Sequence, residues 1–295
     1  MQKISPHLWY DKEAKEAAEF YISTFGENSK IKSVTTLHDT PSGSVDIVAF
    51  EIWGYEFQAM SAGPLFKFNP SASFHIKCKT KEEVDTIFKK LSEGGKILME
   101  LGSYPFSERY GWTEDKYGLS WQIIFVGESE VEPRIVPVLM FTGDVYGKTE
   151  EAVNFYKSVF KDSKAEVLSR YNKGEEPDKE NMVRYASFVI ESQEFGAMDS
   201  ARAQGAKFNE AISFIVYCDN QKEIDYYWDK LSAVPESEQC GWLKDRYRVS
   251  WQIVPRAMDK MMGTKDREKL DKVTQALLKM KKIDIAKLEE AYGGK

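Results

Sequence analysis

Polar residues recur at matched places along this 295-residue chain. Gln122 is answered by Gln252, Ser73 by Ser213, and Asn69 by Asn209. With Gln58 and His75 they form the set that could contact a ligand. Their chemistry is neutral hydrogen bonding: an amide donates and accepts, a hydroxyl does both, and neither carries charge. The bland alternative is that they satisfy one another or a buried water. The chain has three histidines, His7, His38 and His75, all in its first half. A lone histidine on a strand is more often a structural residue than a ligand.

The recurrence belongs to a longer repeat. Residues 110–124 read YGWTEDKYGLSWQII and residues 240–254 read CGWLKDRYRVSWQIV, identical at eight of fifteen positions. Ala18-Glu19-Phe20-Tyr21 answers Val153-Asn154-Phe155-Tyr156, and Ser73-Phe74 to Cys78 answers Ser213-Phe214 to Cys218. A period of about 130 residues is far longer than a solenoid repeat, so it marks duplicated domains. The second copy gains a polar loop near Asn172–Asp178 and loses about ten residues between Leu231 and Cys240.

Each copy opens on a strand (Ile4 to Tyr10; Ile135 to Phe141) and an apolar-faced helix containing Tyr21 or Tyr156. Strands over Ile31–Leu37, Val45–Trp53, Glu56–Met60 and Phe74–Cys78 follow in the first copy. A second helix, capped by Thr80 with Glu83, precedes strands at Lys96–Leu101 and Leu119–Val126. One copy therefore reads as two βαβββ units in tandem. Strand alternation puts Gln122 and Ser120 on one face and Trp121 on the other. The paired tryptophans Trp112/Trp242 and Trp121/Trp251 read as core. Asp115/Asp245 and Tyr117/Tyr247 read as turn residues before the last strand. After Pro255 the chain turns helical, with Leu270, Val273, Leu277 and Met280 on one stripe and a short helix carrying Ile285, Leu288 and Tyr292. Thr264 or Asp266 is the expected cap. The expected domains are 1–127 and 134–256, joined by an acidic linker, with a helical tail over 257–295. The tail's stripe should cover its own domain or meet a partner, with a homodimer as the candidate assembly.

The bulk numbers set limits. The net charge of −6 argues against a nucleic-acid partner. No apolar run reaches the roughly 18 residues of a membrane span. Three cysteines, Cys78, Cys218 and Cys240, make no disulfide framework, and a reducing cytoplasm is the expected compartment. Lys279–Lys282 reads as a solvated face.

The motifs Leu8-Trp9-Tyr10, Glu16-Ala17-Ala18-Glu19-Phe20-Tyr21, Phe68-Asn69 with Ser73-Phe74, and Tyr117-Gly118 with Trp121-Gln122 resemble the PhnB-like group of the vicinal oxygen chelate superfamily. This group is often labelled demethylubiquinone-methyltransferase-like. Phe208-Asn209, Ser213-Phe214 and Cys240-Gly241-Trp242 carry the same resemblance, as does the tail around Lys279-Met280-Lys281. It implies an α+β fold: two tandem domains of paired βαβββ modules, each a cupped mixed sheet around a small-molecule site, plus the helical tail. A methyl donor of nucleotide type needs a Gly-rich turn opening a helix. The Gly94-Gly95 pair instead follows one, so no cofactor is expected.

Superfamily metalloenzymes draw His or Glu from the first, fourth, fifth and eighth strands of a domain. The resemblance carries those places to Pro6/Pro137 or a neighbour, Gln58 or Met60 with Gly196 or Met198, Ser73/Ser213 and Gln122/Gln252. Amide, hydroxyl, proline and thioether do not make a tight divalent site. The first reading is therefore a protein that binds a small organic molecule without a tight metal, through Gln122, Ser73, Gln58, Asn69, His75, Gln252, Ser213 and Asn209. The second is a weakly metal-dependent lyase, isomerase or dioxygenase using His7, His75 and Gln122, with Glu56. The third is a non-catalytic protein that associates through its tail.

Overall fold

A computed structural model of the chain describes residues 2–129, 131–203 and 205–294, and side chains throughout these except at 166–168. In chain order the elements are β1 (Ile4–Tyr10), α1 (Ala14–Phe25), β2 (Lys30–Thr40), β3 (Gly43–Ile52) and β4 (Tyr55–Ser61). Then come β5 (Ala72–Cys78), α2 (Lys81–Ser92), β6 (Lys96–Tyr104), β7 (Ser107–Glu114) and β8 (Ser120–Phe125). The second copy supplies β9 (Ile135–Phe141), α3 (Thr149–Val159), β10 (Lys164–Arg170), β11 (Val183–Ile190) and β12 (Gln193–Asp199). It ends with β13 (Ile212–Cys218), α4 (Gln221–Leu231), β14 (Trp242–Lys244) and β15 (Ser250–Pro255), and the tail forms α5 (Ala257–Met262), α6 (Arg267–Leu278) and α7 (Ile285–Gly293). Among the described residues no helix is long and apolar enough to cross a membrane.

The compact units cut across the sequence domains expected at 1–127 and 134–256. One unit joins Met1–Lys67 to Asn209–Lys295, and the other is Phe68–Phe208. The first unit holds a seven-stranded mixed sheet in the order β14-β15-β13-β1-β4-β3-β2. The second holds an eight-stranded sheet in the order β10-β11-β12-β9-β5-β8-β7-β6. Each sheet thus takes one module from each copy, βαβββ except for the shortened β13-α4-β14-β15, joined by an antiparallel pair, β1 with β13 or β5 with β9. The short linker after β8, whose Glu130 lies outside the described residues, explains part of this. A short connection keeps the next strand close by, and β9 settles beside β5.

Helices cover one face of each sheet. In the first unit Tyr10 and Tyr21 share a 2.9 Å hydroxyl hydrogen bond under α1, and Phe50 stacks on Phe57 at 5.2 Å. Phe214 packs on Trp251 at 5.5 Å, as Phe74 packs on Trp121 at 5.5 Å in the second unit. The paired aspartates build the same turn twice. Asp115 Oδ1 accepts from Tyr117 N and Leu119 N, and Oδ2 accepts from Trp121 Nε1 at 2.8 Å. Asp245 does the same for Tyr247, Val249 and Trp251, at 2.8, 3.1 and 2.9 Å. These turns hold each tryptophan under the helices and turn the next residue, Gln122 or Gln252, to the helix-free face. Cys78 and Cys218 lie buried on the helix side, where burial raises their thiol pKa.

The tail belongs to the first unit. Asp266 caps α6 through Lys269 N, and α6 packs on β2 and α7. Of the expected stripe Leu270 and Val273 are buried and Leu277 and Met280 half-buried; Ile283 and Leu288 beyond it are fully buried, so the stripe is covered in part within its own unit. The stretch between α6 and α7 also repairs the sheet edge. Cys240 N donates to Met280 O at 2.8 Å and Gly241 N to Lys281 O at 2.7 Å. In the second unit the equivalent strand, β7, is flanked by β6, with Tyr110 opposite Gly102. The tail therefore occupies the edge left bare by the residues missing before Cys240. Gly241 permits that approach: its φ is +87°, and a Cβ there would lie 2.9 Å from Ile283. Lys281 and Lys282 pair with Glu238 and Asp225, so the expected solvated face is partly clamped.

Candidate functional site

On the helix-free face of the first unit, one row of side chains crosses the sheet. Strand register aligns Lys244 with Ser250, Ser250 with Ser213, Ser213 with His7, His7 with Gln58, and Gln58 with Ala49. The next row pairs Trp242 with Gln252 and Gln252 with Ile215. The first-strand position that points with Gln58 and Ser213 is thus His7, not Pro6. Pro6 registers with Phe214 on the helix side.

His7 is 3% exposed, and its Nδ1 is buried without a hydrogen-bond partner. Burial lowers its pKa to about 3, so the ring is neutral across the physiological range. Ser250 Oγ is likewise buried and unpartnered. Gln58 Nε2 donates to Tyr217 Oη at 2.9 Å, and Gln252 Nε2 donates to Ser213 Oγ at 3.0 Å. Gln252 Oε1 accepts from no group among the described residues. An aromatic wall adjoins the row: Trp242 meets His7 edge-on at 5.3 Å and Trp9 at 6.2 Å, and Trp9 meets Phe66 at 5.1 Å. Lys244 and Glu210 neutralise each other at 2.8 Å, and Glu56 pairs with Lys32 at 2.6 Å.

The same face of the second unit is built differently. Val138 and Gly196 stand where the first unit has His7 and Gln58. Gln122 Oε1 accepts from Tyr110 Oη at 2.7 Å and lies 2.7 Å from His75 Nε2, while Gln122 Nε2 donates to Ser73 Oγ at 2.8 Å. Trp112 Nε1 donates to Ser120 Oγ at 2.7 Å. His75 stacks on Tyr185 at 5.6 Å. Burial lowers the His75 pKa to about 4, with the Gln122 hydrogen bond opposing and Lys77 assisting. Burial also raises the phenols of Tyr110 and Tyr185. Lys77 pairs with Glu194 at 2.8 Å, and Ser187 donates to Glu194 at 3.1 Å. Gln122 thus ties Tyr110, His75 and Ser73 into one network, and Trp112 satisfies Ser120 beside it.

The expected set is therefore divided. Gln252, Ser213 and Gln58 come together in the first unit; Gln122, Ser73 and His75 come together in the second. Of the combination His7, His75 and Gln122 with Glu56, His7 and Glu56 belong to one unit and His75 and Gln122 to the other. The two asparagines hold loops. Asn69 Nδ2 donates to Lys207 O and its Oδ1 accepts from Ser71 N; Asn209 Nδ2 donates to Lys67 O and its Oδ1 accepts from Ala211 N. Both amides are engaged at both ends by backbone, which leaves them little to offer a ligand. His38 is half-buried on β2, its Nδ1 3.3 Å from Ser44 Oγ. Ser250 and Trp242 were missed as site residues. Nothing in their types separates them from Ser120 and Trp112; only the three-dimensional pairing does.

A divalent cation does not fit this donor set. The facing positions on β1, β4, β13 and β15 carry one imidazole, two amides and one hydroxyl. Among the described residues no three of His, Cys, Asp and Glu cluster as metal ligands. The glycine pair has a packing role: a Cβ on Gly95 would collide with the Glu114 carbonyl at the end of β7.

Comparison with known proteins agrees with this architecture. The family model described as 3-demethylubiquinone-9 3-methyltransferase matches twice, over residues 2–124 and 133–254. A putative 3-demethylubiquinone-9 3-methyltransferase, PhnB protein, from Bacillus cereus is 39% identical over 42% of this chain and 100% of its own, with a TM-score of 0.40. Glyoxalase I from Zea mays aligns over 88% of this chain and 96% of its own at 12% identity, with a TM-score of 0.53, a likeness of fold. No curated protein matches the chain.

Proposed function

Since the chain belongs to the 3-demethylubiquinone-9 3-methyltransferase family, the PhnB-like branch of the vicinal oxygen chelate fold, we propose that it binds a small organic molecule on the helix-free face of a sheet, without a tightly held metal. One observation carries this reading: His7 Nδ1 and Ser250 Oγ are buried without partners on a single face. An unsatisfied buried polar group costs about 1–3 kcal/mol, so a fold that keeps two of them in one row, on either side of Ser213, gains from a ligand that completes them. Gln252, Gln58 and Ser213 supply further donors and acceptors around the pair. The family's descriptive label names methyl transfer, but the Gly94-Gly95 pair is taken up by packing, and nothing in either row would cradle a nucleotide.

A metal-dependent lyase, isomerase or dioxygenase would need further imidazole or carboxylate ligands beside His7. The row offers amides and hydroxyls instead. Association through the tail has less surface to draw on, because α6 packs on the first unit with Leu270 and Val273 buried.

A thermal-shift screen of small organic molecules tests the reading. Ligands that bind the native state raise Tm in proportion to RT ln(1 + [L]/Kd). The expected result is a set of hits whose shift disappears in His7→Phe and Ser250→Ala. Absence of any hit, or hits indifferent to both substitutions, contradicts it.

A further inference from the structure

The two sheets descend from one pattern, yet their helix-free faces have opposite hydrogen-bond balances. In the second unit Gln122 Oε1 is taken by Tyr110 and His75 and its Nε2 donates to Ser73, while Ser120 is taken by Trp112. In the first unit the residues that would occupy Gln252 and Ser250 have changed. Cys240 stands in the place of Tyr110, and Ile215 in the place of His75. Trp242, the counterpart of Trp112, turns its ring to His7 and Trp9 and leaves Ser250 unpartnered. Three substitutions or reorientations thus free the same few atoms: Gln252 Oε1, Ser250 Oγ and the Trp242 indole N–H.

We propose that the first unit's face is the ligand site and that it takes an uncharged aromatic molecule bearing a hydroxyl or carbonyl group, while the second unit's face is structural core. This rests on the small-molecule reading above and adds its location and ligand class. Aromatic character follows from the half-exposed rings of Trp9, Phe66 and Trp242, which offer edges and faces to a planar guest. Neutrality follows from the charge inventory of the face. Lys244 is consumed by Glu210, Glu56 by Lys32 and Arg256 by Asp219, and Asp259 shares the field of Arg256 and Lys32 beside Tyr217, so an ionic guest next to Trp242 would lose water and find no free counter-ion there. The hydroxyl or carbonyl follows from the freed atoms, which include a serine hydroxyl and an indole N–H as donors and an amide oxygen as acceptor.

Binding of simple probes to the full chain separates the outcomes. Phenol and benzamide are titrated by ligand-observed NMR against benzoate, benzylammonium and cyclohexanol. Phenol and benzamide should bind at least tenfold tighter than the charged or non-aromatic probes. Trp242→Phe should weaken phenol at least tenfold, and Trp112→Phe, the same change at the matching place in the second unit, should leave it unaltered. Tighter binding of benzoate or benzylammonium, or equal losses in the two tryptophan variants, overturns the location and class and leaves small-molecule binding intact. Failure of every probe in the panel, together with an empty general screen, overturns both.

Discussion

His7 and Ser213 stand opposite each other across β1 and β13, one from each copy of the repeat. The candidate ligand face therefore belongs to neither copy. It exists only where the first module of copy one meets the second module of copy two, and the same crosswise pairing of β5 and β9 builds the other sheet.

Residues 1–127 expressed alone should for that reason not fold as a compact monomer. Their β1 and β5 would each lack a central partner and present open edges. Sedimentation should report a dimer or larger species, in which two copies supply the missing pairing. A stable monomer of that fragment would contradict the strand order described.

Removing residues 280–295 should destabilise the first unit. The deletion strips the sheet edge from Cys240 and Gly241 and uncovers the site of Ile283 and Leu288, both fully buried. A loss of about 2–5 kcal/mol is expected from the buried side chains alone, read by urea denaturation. An unchanged midpoint would mean that the tail is an ornament on the fold.

The two glutamines should respond unequally to Leu. Gln122→Leu strands Tyr110, His75 and Ser73 together and should cost about 2–4 kcal/mol. Gln252→Leu strands only Ser213 and should cost about 1 kcal/mol. Equal costs would contradict the division between a satisfied and an unsatisfied face.

Acid should weaken the fold through His7 and His75. Both are buried as neutral rings, with pKa values lowered to about 3 and about 4. Above pH 6.5 the folded and unfolded chains hold these rings alike. As pH falls below 6.5 the unfolded chain takes up protons that the folded chain refuses, so stability declines until about pH 4 and below. In His7→Phe the slope of Tm against pH over that window should flatten. An identical slope would mean that His7 does not stay neutral in the folded protein.

Much of this was legible in the residues. Alternation about Trp121 and Trp251 gave the face of Gln122 and Gln252, because a tryptophan tied to a turn aspartate has one place to go. Thr80 and Asp266 announced helix starts by their side chains. The crosswise sheets were not legible, since β1 and β5 have the same apolar pattern whichever module they pair with. Asn69 and Asn209 misled as repeated polar residues: their amides secure backbone in loops that both copies need. The contrast between Ser120 and Ser250 was hidden because it depends on the ring orientation of Trp112 and Trp242.

The three histidines make one spectrum decisive. The imidazole nitrogen–proton correlations of nitrogen-15-labelled protein, recorded while phenol is added, report His7, His38 and His75 separately. The His7 signals should move and saturate while those of His75 stay in place. Movement of His75 with His7 unmoved would contradict this.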